Sequence, residues 1–399
     1  MRNIIGQAVV GDDLYGRDYE LARIRERLDQ GEHLLMLAPR RVGKTSLMLE
    51  LRRAPHRNWD VLYVDVESGD SAADCVAAIL SALAARPEYR SRLEAIPFAK
   101  AVQDVLGRLS ATVDTGVLRV ELKSAIGREW SHAADRLRAR LARLPDSGRN
   151  LLIIIDELPI LVSRMLRAGG EIRDAELLMS WFRQLRQAPE LRERICTLVG
   201  GSIGLEGVLR RAGLSGSIND LVPFRLDSWS RSTAAEFLNS LAHSYEFRLD
   251  DGSVTRLLHL LRDPVPYHVQ LFFSSLRDVC RGDAARVSRE AVEQCFAERL
   301  TGASGTAYLD HYATRLEIAL DEHEHAMAVG ILRIACRRAK GATLGELEDL
   351  RRGEEPTFAS VLRDLEADGY LRREADRLEF RSNLLREWWR KHHGRQIAP

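Results

Sequence analysis

Two rhythms of apolar positions alternate along the first 225 residues, and only one continues after them. HLLMLAP (33–39), DVLYVDVES (60–68), LLIIIDE (151–157) and RICTLVGGSIG (194–204) are short apolar runs bounded by polar or small residues. Runs of that length read as strands buried in a parallel sheet. Between them lie segments with helical spacing. In DYELARIRERLDQ (18–30), Leu21, Ile24 and Leu28 share a face; TSLMLELRRA, DCVAAILSALAA, SHAADRLRARLARL and AELLMSWFRQLRQ (175–187) follow the same rule. The alternation predicts a parallel sheet with helices on both faces. Residues 86–148 interrupt this order and read as an insertion. Within it, VLRVELKSA (117–125) sets Val120 and Leu122 among charges and reads as a strand.

After residue 225 the strand signals vanish. STAAEFLNSLAHSY, VTRLLHLLRD, YHVQLFFSSLRDVC and REAVEQCFAERL are consecutive amphipathic helices. From about residue 306 the order is three helices (AMAVGILRIACRRA, TLGELEDLR, TFASVLRDLEADGY), a short strand RLEFRS (377–382), and a closing LLREWWRKHH. Three helices and a β-ribbon make the order of a winged helix. The predicted organisation is therefore an α/β core over 1–225, a helical lid over 226–305 and a winged helix over 306–399.

Composition narrows the function classes. Lys and Arg number 59 against 58 Asp and Glu, a net charge of +1, so there is no global electrostatic case for a polyanion partner. The five cysteines are scattered and include no C-x-x-C pair, so neither a disulfide framework nor a zinc site is expected. No apolar run approaches the ~18 residues that span a bilayer. The N-terminus carries acidic residues and no signal-peptide core. A soluble, cytoplasmic protein without a membrane partner is expected.

The chemistry concentrates at two places. Ala38-Pro39-Arg40-Arg41-Val42-Gly43-Lys44-Thr45-Ser46 follows an apolar strand and opens a helix. The phosphate-loop pattern is G-x-x-x-x-G-K-[ST], and alanine stands here where its first glycine belongs. In that pattern successive backbone N–H groups and the helix N-terminus cradle phosphates. Gly43 lets the backbone approach closely, Lys44 reaches the β- and γ-phosphates, and Thr45 offers a hydroxyl to Mg²⁺. Arg40 and Arg41 can touch phosphate or a partner's carboxylates, and the sequence does not choose. The second place is Leu151–Glu157, a run of apolar residues and then Asp-Glu. A parallel strand carries Asp156 to its C-terminal edge, where it would hold Mg²⁺, and Glu157 would polarise the attacking water. Gly200-Gly201-Ser202, closing the strand near 194–200, either places Ser202 at the γ-phosphate or is a plain turn. Arg210 and Arg211 are candidates for insertion into a neighbour's site, or a solvated pair.

LYGRDYEL (14–21), APRRVGKTS, LLIIIDELP, GGSIG and PFRLDSWSRSTAAEFL (223–238) occur in that order. Together they resemble the STAND-class and AAA+-like P-loop ATPases, in particular the archaeal-ATPase-like group related to the origin-recognition initiators. The resemblance covers about residues 12–275. It implies a P-loop NTPase sheet, ATP and Mg²⁺ as cofactors, and slow hydrolysis of ATP to ADP. It implies that Tyr15, Gly16 and Arg17 bind the adenine or ribose, and that Ser202 is the sensor 1 residue. A Gly-x-Pro motif on the family's lid closes over the base. Pro266 matches its proline, while Pro264 stands in the glycine position.

The tail leaves its partner open. The third winged-helix helix, TFASVLRDLEADG (357–369), carries Arg363 but also Asp364, Glu366 and Asp368. Arg372, Arg373, Arg377, Arg390, Lys391 and Arg395 could grip a nucleic-acid backbone. Trp388 and Trp389 either stack on bases or complete a core. The expected function is an ATP-hydrolysing switch whose nucleotide state governs homo-oligomer assembly or DNA or protein engagement through the tail. The alternative is a nucleotide-gated DNA- or protein-binding module with negligible hydrolysis.

Overall fold

A computed structural model describes residues 1–108, 114–141, 149–167, 172–192, 194–201, 203–280, 287–302 and 305–394. The chain divides into two compact units. One comprises residues 18–37 and 47–225; the other comprises residues 1–17, 38–46 and 226–399.

The first unit is built on five parallel strands: β1 Leu34–Leu37, β2 Trp59–Asp65, β3 Asn150–Asp156, β4 Ile195–Gly200 and β5 Val222–Arg225. Their order is β2-β3-β4-β1-β5. β3 and β4 are buried along nearly their whole length, which is why they read as unbroken apolar runs. Helix Ala72–Ala84 packs on β2, and helices Leu158–Arg167 and Ile172–Gln187 pack on β4. The register sets Asp65 opposite Asp156, and Asp156 opposite Gly200. Three strands thus deliver polar or small residues to one C-terminal edge.

The insertion corrects one expectation. Residues Thr115–Ile126 form an α-helix, not a strand. Asp114 caps it by accepting from the N–H groups of Gly116 and Val117. Leu118, Leu122 and Ile126, each one turn apart, are buried, while Val117 and Val120 are 58% and 68% exposed. The apparent alternation arose because one apolar residue of each pair faces solvent.

In the second unit the helices Arg231–Ser244, Asp251–Leu261, Pro266–Val279 and Arg289–Gln294 follow in succession, as the apolar spacing predicts. Helix Thr306–Ala319 comes next, and the periodicity had not revealed it. Helices Glu322–Ala335, Glu348–Arg351 and Glu355–Ala367 precede an antiparallel ribbon, β7 Leu371–Glu374 and β8 Arg377–Phe380. β6, Ala342–Thr343, pairs with the other edge of β8. Trp388 and Trp389, on the closing helix Asn383–His392, are each 1% exposed and belong to the core with Tyr370 and Phe380. Among the described residues no helix is long and apolar enough to cross a membrane.

Candidate nucleotide site

The phosphate loop has the backbone that its sequence demands. Arg41 and Gly43 take left-handed φ of 65° and 99°, and helix Lys44–Arg53 begins at once. Alternating backbone handedness before a helix start turns successive N–H groups to one side, the geometry of an anion-binding nest. Ala38 does not lie in the left-handed region, so the position needs no glycine for its φ. Lys44 is buried, and its Nζ donates to the carbonyls of Ala38 at 3.2 Å and Pro39 at 3.3 Å. Ser46 Oγ accepts the Val9 N–H. Val42 is buried, and its carbonyl accepts from Arg17 Nη2 at 2.8 Å. The same nitrogen reaches the Asp227 carbonyl at 2.9 Å.

Arg40 and Arg41 point in a direction that sequence reasoning missed. Arg41 Nε donates to His311 Nε2 at 3.2 Å, and its guanidinium lies 4.6 Å from the Tyr267 ring centroid. Arg40 lies 5.7 Å from the Tyr312 ring and donates to the His311 carbonyl at 3.4 Å. Arg40 is only 8% exposed, yet its Nε has no hydrogen-bond partner and no described carboxylate pairs with it. Burial, followed by the nearby Arg315 and Arg41 charges, holds its pKa below the usual value despite the Tyr370 and Tyr312 rings. His311 is pushed down to about 2, first by burial and then by Arg41 and Arg40, so it is neutral and can accept the Arg41 proton. Pro39 meets the turn after helix Glu355–Ala367: a Cβ on Gly369, whose φ is 82°, would lie 2.5 Å from the proline Cβ.

The LYGR segment packs against Trp229 and helix Arg231–Ser244. Gly16 has φ 62°, and a Cβ there would sit 2.5 Å from the Thr233 methyl. The Tyr15 ring stands 5.3 Å from Phe237 and 6.2 Å from Trp229. Pro266 occupies the first turn of helix Pro266–Val279, where its missing N–H is harmless, and Tyr267 follows it.

In the sheet unit, Asp156 is 2% exposed and both its oxygens are engaged. Oδ1 accepts the Glu157 N–H at 3.1 Å, and Oδ2 accepts the Tyr63 hydroxyl at 3.0 Å. Glu157 has φ 61°, a strained value for a non-glycine residue, fixed by its N–H donating to the Gly200 carbonyl at 2.8 Å. The glycines of GGS answer a close approach. A Cβ on Gly201 would fall 2.7 Å from the Pro159 ring and 3.1 Å from the Glu157 carboxylate. Ser202 lies outside the described residues, as does Arg395. Arg210 and Arg211 end helix Leu205–Arg211.

These residues fit the implied cofactors. A buried arginine with a partnerless donor, a left-handed turn and Lys44 at a helix start are chemistry for a polyphosphate. The Asp156 carboxylate in the sheet unit and the Thr45 hydroxyl in the other unit are each hard oxygen donors of the kind Mg²⁺ takes.

A parallel sheet in the order β2-β3-β4-β1-β5 with a phosphate loop after β1 is the fold of the AAA+ P-loop ATPases. Two solved structures carry the likeness over nearly the whole chain. The Walker-type ATPase PABY2304 of Pyrococcus abyssi is 15% identical, with 97% of this chain and 99% of that one covered at a TM-score of 0.63. The ORC2 protein of Aeropyrum pernix, solved as ADPNP–ADP complexes, is 16% identical over 95% of this chain and 94% of its own, at 0.51. No protein-family model matches the chain, and no curated protein matches it by sequence.

Proposed function

We propose that the chain is an ATP-binding and ATP-hydrolysing switch of the STAND/AAA+ type. Arg40, Arg41, Val42, Gly43, Lys44, Thr45 and Ser46 hold the phosphates. Tyr15, Gly16 and Arg17 form the base end, Arg17 by holding the Val42 carbonyl, with Pro266 closing from the lid. Thr45 and Asp156 hold Mg²⁺, which would neutralise phosphate charge. Glu157 orients and deprotonates the attacking water, and Ser202 senses the γ-phosphate. Arg210 and Arg211 are the candidates for action in a neighbouring protomer of a homo-oligomer.

One observation supports a switch above a simple hydrolase. The arginines of the phosphate loop hold His311 and Tyr312, on a helix about 270 residues away in the chain. Phosphate and helix Thr306–Ala319 compete for the same two guanidiniums, so nucleotide state would be read by the C-terminal region. The test is ATP turnover by wild type and Glu157→Gln. We expect slow wild-type turnover and a loss of roughly 10²–10⁴-fold in the variant with ATP still bound. Equal turnover would remove Glu157 as the base. Binding without wild-type turnover would favour the nucleotide-gated module.

We read residues 306–399 as a winged helix that engages protein in preference to DNA. Three of its described basic residues are paired within the chain: Arg372 with Glu374 at 2.8 Å, Arg373 with Glu366 at 3.2 Å, and Arg390 with Glu387 at 2.9 Å. Phosphate neutralisation dominates duplex affinity, and each of these arginines would have to exchange its carboxylate for a phosphate.

A further inference from the structure

We propose that Tyr63 is the positioning residue for the cation-holding carboxylate of Asp156. The inference rests on the ATP–Mg²⁺ reading above and adds a residue that no phosphate-loop or acidic-strand motif contains. Tyr63 lies on β2 two residues before its end, and Asp156 ends the neighbouring β3. The parallel register sets Tyr63 opposite Ile154, one pleat period before Asp156. A tyrosine is long enough to reach forward from there, and its hydroxyl donates to Asp156 Oδ2 at 3.0 Å. The N–H of Glu157, the residue after β3, holds the other oxygen, so one donor from β2 and one from the chain just past β3 fix the carboxylate plane.

The strand end that carries Tyr63 is itself held. Arg119 Nη1 donates to the Asp65 carbonyl at 2.8 Å, Asp65 Oδ1 accepts the Glu67 N–H at 2.8 Å, and Arg164 donates to the carbonyls of Glu67 and Gly69. Arg119 belongs to helix Thr115–Ile126, so the insertion over 86–148 acquires a role: it braces the strand end that aims Asp156. Hydrogen-bond partners of metal-holding side chains orient them, and their removal typically weakens metal affinity by roughly 10–100-fold.

The experiment is Tyr63→Phe, which removes one oxygen and keeps the ring. Binding of a fluorescent ATP analogue is titrated against Mg²⁺, and Mn²⁺ binding to the protein–nucleotide complex is followed by electron paramagnetic resonance. We expect the half-saturating metal concentration to rise about tenfold or more in both assays. Nucleotide affinity measured in EDTA should stay within about twofold of wild type, since the phosphate loop is untouched. A melting curve confirms that the variant folds, and Tyr63→Leu, which also lacks a donor, serves if it does not. An unchanged metal requirement overturns the proposal, as does an equal loss of affinity in EDTA. A wild-type protein that binds nucleotide without regard to Mg²⁺ overturns the proposal and the metal reading beneath it, while a wild type that binds no nucleotide overturns the whole reading.

Discussion

Arg40→Met separates phosphate recognition from structural support. Methionine keeps an unbranched, flexible side chain and discards the charge and every donor. In the free protein Arg40 is 8% exposed, its Nε lacks a partner, and it is compensated by a 3.4 Å bond to a carbonyl, the Tyr312 ring and the nearby Tyr370. A buried unsatisfied donor costs ~1–3 kcal/mol, more when charged. The cation–π contact returns ~0.5–2 kcal/mol. The penalty is the larger, so the nucleotide-free variant should gain about 1 kcal/mol. For a folding unit of 150–250 residues that raises Tm by roughly 2–4 °C.

With nucleotide present the sign reverses. A hydrogen bond from a charged group contributes ~1.5–3 kcal/mol, so Kd for ATP should weaken roughly 10–100-fold. At ligand set to 100 times the wild-type Kd, wild type gains about 2.7 kcal/mol from binding. The variant, at the same concentration, would gain only about 0.4–1.4 kcal/mol. Differential scanning fluorimetry over a series of ATP concentrations reads both quantities. A variant that melts lower than wild type without nucleotide, yet shifts equally on adding ATP, would refute the argument and make Arg40 a structural residue.

Two further outcomes follow from the same geometry. Stability should fall as pH drops from 6.5 toward 4, because burial holds His33 at about 4 and His268 at about 3, with His311 at about 2, while the unfolded chain takes up protons at about 6.5. The folded pKa values are depressed, so the contribution is complete above 6.5; denaturant midpoints that stay flat from pH 6.5 to 4 would contradict it. In a mobility-shift assay at low salt we expect no duplex DNA binding, since Arg372, Arg373 and Arg390 are paired within the chain. A shifted band that fades steeply with added salt would reverse the reading of the tail.

What the sequence disclosed follows from where each element lies. β3 and β4 sit inside the sheet with both faces covered, and their apolar runs were plain. β5 is an edge strand of four residues with Pro223 in it and only Phe224 buried, so its period carries no signal in the sequence. Helix Thr306–Ala319 buries Leu309, Tyr312 and Leu316 at helical spacing, but polar residues interrupt its face. The placement of Lys44, Thr45, Asp156 and Glu157 is legible because backbone rules dictate it locally: a left-handed turn before a helix, and acids at a strand end.

The partners of those residues were hidden for a different reason. Arg40 and Arg41 were readable as phosphate candidates, and nothing in a nine-residue motif marks that they also face His311 and Tyr312. Tyr63 is one half-buried residue within the apolar run of β2, and only the pairing of β2 with β3 brings its hydroxyl to Asp156. Both are contacts across long sequence separations, made by side chains whose local setting would be the same without them. The motif specifies which atoms can meet a nucleotide. On the proposed reading the tertiary contacts specify what each of those atoms would give up to do so: Arg40 and Arg41 would leave His311 and Tyr312, whereas Asp156 is already held in place by Tyr63 and Glu157. The proposed switch would rest on that asymmetry, with a phosphate end that changes partners and a metal end that does not. Mutations at the arginines should therefore alter which state is populated, and mutations at Tyr63 should alter only how tightly the metal is held.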